Sequence, residues 1–75
     1  MKAKEPSDIY NEIGKRIVHA RKAQGLSQEK LAALSEVDRS HLGFIEQGRR
    51  RPTLSTLFKV SQALQISLEQ LFKGL

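Results

Sequence analysis

Two short segments with the apolar spacing of a helix follow each other in residues 27–47, which read SQEKLAALSEVDRSHLGFIEQ. Each segment begins with a residue whose side chain can accept a backbone N–H bond as a helix N-cap, Ser27 in the first and Asp38 in the second. Leucine or isoleucine then recurs three positions apart, at Leu31 and Leu34 and again at Leu42 and Ile45. We therefore predict two short helices, over residues 28–35 and 38–47, joined by a tight turn and buried on their apolar sides.

Three further helices are predicted on either side of this pair. The first runs from about Asp8 to Gln24 and ends at Gly25, and the fourth and fifth follow the loop after Gly48, where the third helix ends. Candidate N-caps are Ser7 or Asp8 for the first helix, Thr53 for the fourth and Ser67, with Gln70 at the capping-box spacing, for the fifth. Because no run alternates apolar and polar residues, no strand is expected, and the predicted fold class is all-α with five helices.

The length and composition exclude several classes of protein. A chain of 75 residues, 39% of them hydrophobic, can build one small core, and no apolar run approaches the ~20 residues that cross a bilayer. The sequence has no cysteine, which removes disulfides, thiolate metal sites and thiol nucleophiles. Because His19 and His41 stand near no carboxylate pair or serine at a catalytic spacing, we expect neither an enzyme nor a metal or other cofactor.

The basic residues are concentrated in the middle of the chain. The net charge is +5 and the pI is near 10.0. Between Lys15 and Arg51 there are nine basic and four acidic side chains, and the rest of the chain is neutral. This distribution is typical of a surface that faces a polyphosphate, although basic side chains on solvated helix faces would give the same totals.

Two short helices joined by a tight turn and followed by further apolar helices have the layout of a helix-turn-helix domain. Such a pair holds one helix across the phosphate backbone and places the next in the major groove, which is ~12 Å wide and admits a single helix. The exposed side of the third helix then carries Arg39, Ser40, Gly43 and Phe44. Duplex DNA is therefore the partner that this layout predicts.

Four runs of residues extend this interpretation over residues 13–72. They are GKRI at 14–17, GLSQEKLA at 25–32, IEQGRRRPTL at 45–54 and ALQISLEQLF at 63–72. Together they resemble the Xre/Cro/lambda-repressor-like helix-turn-helix family, and within it the controller proteins of restriction-modification systems, with phage-type repressors as the near alternative. The resemblance implies a five-helix lambda-repressor-like DNA-binding domain in which helices 2 and 3 form the helix-turn-helix.

The resemblance also implies roles for individual side chains. Base contacts are expected from Arg39, Ser40, Gly43 and Phe44, and phosphate contacts from Ser27, Gln28, Gln47, Arg49, Arg50 and Arg51. A guanidinium fork matches O6 and N7 of guanine, so base discrimination should depend most on Arg39, with a phosphate contact from the same place as the alternative. Phe44 could meet thymine methyl groups or pack against the basic loop. Gly43 could allow close approach to DNA or close packing between helices.

Four positions bear on how the domain is braced. The resemblance pairs Arg21 with Glu46 as a partly buried ion pair between the first and third helices, the alternative being two separate surface charges. It also places glycine, in a backbone conformation of positive φ, where this chain has Glu36. This turn is therefore expected either to accept a strained glutamate or to adopt another shape. Gly14, inside the first helix, is expected to mark close packing against a neighbour.

A homodimer is expected, because specific binding in this class uses two helices in successive major grooves ~34 Å apart. The last two helices carry more apolar residues than one edge of a small core covers. Part of this stripe is assigned to a two-fold interface formed by Ile66, Leu68, Leu71, Phe72 and Leu75. The alternative is that the stripe closes the core of the subunit itself. We divide the chain into a flexible N-terminal arm, residues 1–7, and a DNA-binding domain with its dimerisation helix, residues 8–75.

The function predicted from the sequence is a homodimeric transcriptional regulator, repressor or activator, that binds a pseudo-palindromic operator in double-stranded DNA. RNA polymerase is a further candidate partner, and no membrane or small-molecule ligand is expected. Because the first residues do not form a secretory signal, the protein is expected in the cytoplasm, bacterial or phage-encoded and associated with the nucleoid. The alternative from a different class is an antitoxin-like module whose main task is to bind another protein.

Overall fold

The structure of the chain, a computed structural model, describes residues 3–75. Five α-helices connected by short loops make up this part of the chain, and it contains no strand, as the sequence predicts. The helices are α1 (Pro6–Ala23), α2 (Gln28–Ser35), α3 (Arg39–Glu46), α4 (Leu54–Ala63) and α5 (Leu68–Phe72). None of these five combines the length and the hydropathy that crossing a membrane requires.

A single hydrophobic core holds the five helices together. Each helix contributes at least one fully buried side chain, and these include Ile17, Leu31, Leu42, Val60 and Leu71. Helix α3 packs against α1 on one side and against α2 on the other, and α2 packs in turn against α4. The position of α3 is therefore fixed from two directions, which leaves its remaining side free.

Helices α2 to α5 begin at the N-caps predicted from the sequence. The side-chain oxygens accept backbone N–H bonds of the first turn in all four cases, at Ser27, Asp38, Thr53 and Ser67. The predicted capping box is also present, because the side chain of Gln70 accepts the backbone N–H of Ser67 at 2.8 Å. Each cap satisfies a donor that the helix itself leaves without a partner.

The start of α1 differs from the prediction. The helix begins at Pro6, and its N-cap is Glu5 rather than Ser7 or Asp8. Asp8 takes part from within the first turn, where its carboxylate accepts the backbone N–H of Glu5 at 3.2 Å. Proline suits the first helical position because it has no N–H to leave unsatisfied. Residues 6 and 7 of the predicted flexible arm are therefore helical, and residues 1 and 2 lie outside the described part of the chain.

Helices α1 to α4 end in the same hydrogen-bonded turn. A residue of positive φ follows each helix, and the next residue donates its N–H to a carbonyl five positions back. The residues of positive φ are Gly25 (69°), Glu36 (56°), Gly48 (74°) and Gln65 (58°). The turn between α2 and α3 thus keeps the shape that suits glycine. Glu36 adopts this shape at a cost of roughly 1–2 kcal/mol.

Helices α1 and α3 approach so closely at Gly14 that a side chain would not fit between them. A Cβ atom on Gly14 would lie 2.5 Å from the carbonyl oxygen of Glu46 and 2.7 Å from that of Ile45. Both neighbours are backbone atoms, so neither can turn aside. The predicted close packing at Gly14 is confirmed, and it holds the end of α3 against α1.

Three large apolar side chains are exposed, and the helical spacing described above predicts burial for only the first of them, Leu34. They are Leu34, Leu54 and Phe58, with relative exposures of 51%, 62% and 50%. Helix α4 turns Leu57 and Val60 toward the core instead, which leaves Leu54 and Phe58 one turn apart on its outer side.

The assignment of Leu71 to a dimer interface requires a correction. Its side chain has no exposed surface, because α5 packs against both α1 and α4 and directs this residue between them. Leu71 therefore belongs to the core of its own subunit and offers no surface to a second copy.

Candidate nucleic-acid interface

The outer side of α3 forms a wall of a shallow cleft of about 250 Å³. The cleft is lined by Gln28, Arg39, Ser40, Gly43, Phe44 and Gln47. The first and last of these were predicted to contact phosphates, and the other four to contact bases. The structure thus brings all four predicted base-contact residues together on one open surface, here called the α3 cleft.

The first turn of α3 is open to solvent because the core holds this helix from the opposite side. Leu42 and Ile45 are buried, whereas Arg39 and Ser40 are exposed. The carboxylate of Asp38 accepts the backbone N–H groups of Ser40 at 3.1 Å and His41 at 3.3 Å. These two bonds fix the backbone from which Arg39 and Ser40 project.

Arg39 is held only loosely in the α3 cleft. Its Nε atom lies 4.0 Å from Oε1 of Glu29, and the two side chains are 59% and 82% exposed. An ion pair this exposed is worth no more than about 1 kcal/mol. The guanidinium can therefore leave Glu29 for another acceptor at little cost.

A side chain would fit at Gly43 in the α3 cleft. A Cβ atom there would have its nearest neighbour, the side-chain oxygen of Gln28, at 3.7 Å, which is an ordinary van der Waals contact. Packing inside the subunit therefore requires glycine at position 14 but does not require it at position 43. Close helix packing, one of the two explanations considered for Gly43, is therefore not supported.

One carboxylate connects α1, α2 and the end of α3. The side chain of Glu46 is 4% exposed and accepts two bonds from Arg21, from Nε at 2.8 Å and from Nη2 at 3.2 Å. It also accepts a bond from the amide nitrogen of Gln28 at 2.8 Å. Arg21 completes the network by donating to the carbonyl oxygen of Leu26 at 3.0 Å. The buried charge is compensated on all sides, and the amide of Gln28 is held in one orientation at the edge of the α3 cleft.

Two of the predicted phosphate ligands, Ser27 and Gln28, lie at the start of α2. Ser27 uses its hydroxyl oxygen to accept the N–H of Lys30 at 3.0 Å, so this oxygen already serves as the helix cap. Ser27 and Gln28 both lie at the positive end of the helix dipole, where an anion is favoured.

Two of the three arginines after α3 contact different aromatic rings. The guanidinium of Arg50 lies 4.8 Å from the ring centroid of Phe44, at the α3 cleft, whereas that of Arg51 lies 5.5 Å from the ring of Tyr10 in α1. Arg49 is exposed. The sequence does not reveal this division, because the partners of Arg50 and Arg51 lie in different helices. Phe44 is half-buried, and part of its cover comes from the basic loop.

A second surface is an apolar groove of about 420 Å³ between α1, the start of α4 and α5. Its lining residues are Pro6, Ile9, Tyr10, Ile13, Pro52, Leu54, Leu57, Phe72 and Leu75. Phe72 and Leu75 belong to the predicted interface, whereas Leu54 does not. The predicted interface residues do not share one surface, because Ile66 borders a different groove, between α1 and α5. Leu68 is half-buried against the core.

No metal site accompanies these surfaces in the part of the chain that the structure describes. Within residues 3–75 there is no cluster of three histidine, aspartate or glutamate side chains that could hold a metal ion. His19 is exposed on α1, and His41 is half-buried on α3.

Known proteins share both the sequence and the fold of this chain. The model of the HTH_3 helix-turn-helix family matches residues 17–71. The control protein C.MunI of a Mycoplasma species is 37% identical over 70 residues, which cover 92% of this chain and 95% of that protein. The immunity repressor protein of Bacillus phage phi105 is 43% identical over 56 residues, which cover 75% of this chain and 39% of the repressor.

A solved structure agrees with these similarities. The crystal structure of the restriction-modification controller protein C.AhdI from Aeromonas hydrophila aligns with a TM-score of 0.82 and 42% identity, covering 88% of this chain and 98% of that one. The family and these relatives are regulators and not enzymes, which agrees with the prediction for this chain. The chain belongs to the HTH_3 family of helix-turn-helix transcriptional regulators.

Proposed function

We propose that this chain acts as a homodimeric regulator that binds a pseudo-palindromic operator in double-stranded DNA, in the manner of a restriction-modification controller protein. The observation that carries the proposal is the α3 cleft. It presents a guanidinium, a hydroxyl and two amides beside an aromatic ring, around a single exposed helix. Guanidinium, hydroxyl and amide groups are the ones that pair with base edges and phosphates.

Base discrimination is assigned mainly to Arg39. A bidentate bond from arginine to O6 and N7 of guanine is worth ~1–3 kcal/mol of preference over another base. The loose contact with Glu29 supports this role, since Arg39 gives up little when it moves to a base. Ser40, next to it on the same exposed turn, can donate to or accept from a neighbouring base.

Phosphate contacts are assigned to the two ends of the α3 cleft and to the basic loop. Gln28 lines the cleft at the start of α2, and Gln47 lines it at the end of α3. Arg49 and Arg50 follow in the basic loop, where both are exposed. Such contacts supply affinity for any duplex. Each neutralised phosphate steepens the dependence of log K on log salt by about 0.9.

Two copies are needed to reach two half-sites. The subunit measures 32 × 21 × 20 Å, whereas successive major grooves on one face of DNA are ~34 Å apart. We assign the apolar groove of Leu54, Phe72 and Leu75 to the contact with the second copy, because Leu54 is 62% exposed at its rim. Burial of this side chain in a dimer is favourable.

Similarity over nearly the whole length of C.MunI and C.AhdI supports a controller protein over a phage repressor, of which only 39% is matched. The operator of such a regulator is proposed to lie upstream of its own and linked genes. Contact with RNA polymerase would then follow from the position of the operator at the promoter.

The proposal is tested by titrating DNA duplexes with the protein at several salt concentrations. The operator is first selected from a pool of random duplexes and then compared with a scrambled duplex of the same composition. We expect a preference of ~10³ or more for the operator. Arg39→Ala should remove most of this preference, because the bases would lose their bidentate partner.

Lys59→Ala is the matched control, since it removes the same charge from an exposed position on α4. It should leave the preference for the operator unchanged. Equal binding of the unmodified protein to both duplexes would contradict the proposed function and favour an antitoxin-like module that binds another protein.

A further inference from the structure

Phe44 lies between the α3 cleft and the basic loop. Its ring is half-buried and lines the cleft, and the guanidinium carbon of Arg50 lies 4.8 Å from the ring centroid. A cation within about 6 Å of the centroid, over the face of the ring, is attracted by its electrons. The two side chains therefore form one unit at the edge of the cleft.

Immediately after α3 the chain turns back toward the ring of Phe44. Gly48, with a φ of 74°, donates its N–H to the carbonyl oxygen of Ile45 at 3.0 Å, and Arg49 donates to that of Phe44 at 2.9 Å. These two bonds close the end of the helix in a fixed turn. Arg50 is the next residue, so its backbone starts beside the helical turn that carries Phe44.

The ring is the contact that orients Arg50. Among residues 3–75 no carboxylate lies within ion-pair distance of this guanidinium, which is otherwise exposed to solvent. An arginine side chain without such a contact samples many rotamers and loses that freedom when it binds. The contact with Phe44 reduces this loss before DNA arrives.

From these contacts we propose that Phe44 is a positioning residue, whose ring holds the Arg50 guanidinium at the edge of the α3 cleft, where a DNA phosphate would lie. The inference rests on the proposed function and refines it. Phe44 acts on DNA through Arg50, and it does not recognise thymine methyl groups. It therefore contributes to the affinity for any duplex and does not select among sequences.

A double-mutant cycle on Phe44→Leu and Arg50→Ala tests this role with the selected operator and the scrambled duplex. Phe44→Leu should weaken binding to both duplexes equally, by about two- to fivefold for each subunit of the dimer, the range of a cation–π contact at an exposed site. Arg50→Ala should weaken both and reduce the salt slope by about 0.9 for each subunit. In the Arg50→Ala background, Phe44→Leu should have no further effect. Phe44→Tyr keeps the ring and should bind like the unmodified protein.

A measurement on the free protein tests the same contact without DNA. In the unmodified protein and in Phe44→Tyr, the ring current of the aromatic side chain at position 44 should shift the side-chain proton signals of Arg50. The shift should vanish in Phe44→Leu. Tyr10→Leu is the matched control, because it removes the ring beneath Arg51 and leaves the pair of Phe44 and Arg50 intact.

Four results would overturn the inference. Loss of operator preference in Phe44→Leu, or an undiminished effect of this change in the Arg50→Ala background, would assign the ring to the bases. An absent ring-current shift, or tighter binding by Phe44→Leu, would show that the ring does not hold Arg50 for DNA. A lack of operator preference in the unmodified protein would refute the proposed function separately. The shift and the cycle on the scrambled duplex would then still decide the role of Phe44.

Discussion

Replacing Gly43 by alanine should stabilise the subunit and weaken its binding to DNA. In the free subunit the added Cβ atom meets nothing closer than 3.7 Å, so the substitution introduces no clash. Alanine is favoured over glycine inside a helix by about 1 kcal/mol, and the free energy of unfolding should rise by up to that amount. For a domain of this size, 1 kcal/mol raises the Tm by roughly 4–8 °C.

The effect on DNA binding should have the opposite sign. The added methyl group projects from α3 into the cleft that we assign to DNA. If the backbone at Gly43 rests against the bases, the helix must shift outward, and overpacking of this kind costs about 1–3 kcal/mol. The Kd for the operator should therefore rise by roughly five- to 150-fold.

Gly14→Ala is the matched comparison, because the same change meets two backbone oxygens at 2.5 and 2.7 Å. It should lower the Tm. Thermal unfolding and operator titration of both variants complete the test. A Gly43→Ala protein that is more stable and still binds the operator as tightly as before would refute the view that this side of α3 approaches DNA closely.

Three further substitutions should give measurable changes. Glu36→Gly should raise the free energy of unfolding in urea by about 0.5–1 kcal/mol, because glycine accepts positive φ without strain; no gain would mean that Glu36 is relaxed. Glu46→Gln should lower it by about 3–5 kcal/mol by leaving Arg21 as a buried charge, and a loss below 1 kcal/mol would contradict that burial. Leu54→Ser should dissociate the dimer in sedimentation equilibrium, whereas Phe58→Ser, also exposed on α4, should not; equal effects would count against the assigned groove.

The ends of the helices are largely predictable from the sequence because they depend on local chemistry. Ser27 and Asp38 cap the helices that follow them, and Gly48 supplies the positive φ that ends α3. The start of α1 is harder to predict, since Glu5 serves as a cap only together with a carboxylate three residues later. Gln65 gives no signal at all, because its side chain does not indicate positive φ.

The division of apolar residues between core and surface depends on the other helices and is therefore less predictable. Leu54 and Leu57 lie in the same helix, yet the first is 62% exposed and the second is buried. Helix periodicity gives the width of an apolar stripe, but the neighbouring helices decide which edge of the stripe they cover. The same reason explains why Leu71 is enclosed while Phe72 lines an open groove.

The residues of α3 that line the cleft can be predicted from the sequence. Leu42 and Ile45 mark the buried side of this short helix, so the residues on its opposite side must be exposed. The contacts that hold the cleft residues do not follow from the sequence. The bond between Gln28 and Glu46 joins residues 18 positions apart in different helices. The stacking of Arg50 on Phe44 requires the chain to reverse after α3. The first pair lies in two different helices and the second spans the end of α3, so spacing along a single helix predicts neither contact. Only the three-dimensional path of the chain brings these groups together.

The placement of α3 in a DNA groove is tested most directly by backbone amide NMR signals during titration with the selected operator. We expect the largest shifts on Ser40, Gly43 and the other residues of the α3 cleft, while the amide signals around Leu34 and Phe58 barely change. Large shifts around Leu34 and Phe58, with the cleft unaffected, would show that DNA or another partner binds a different side of the molecule.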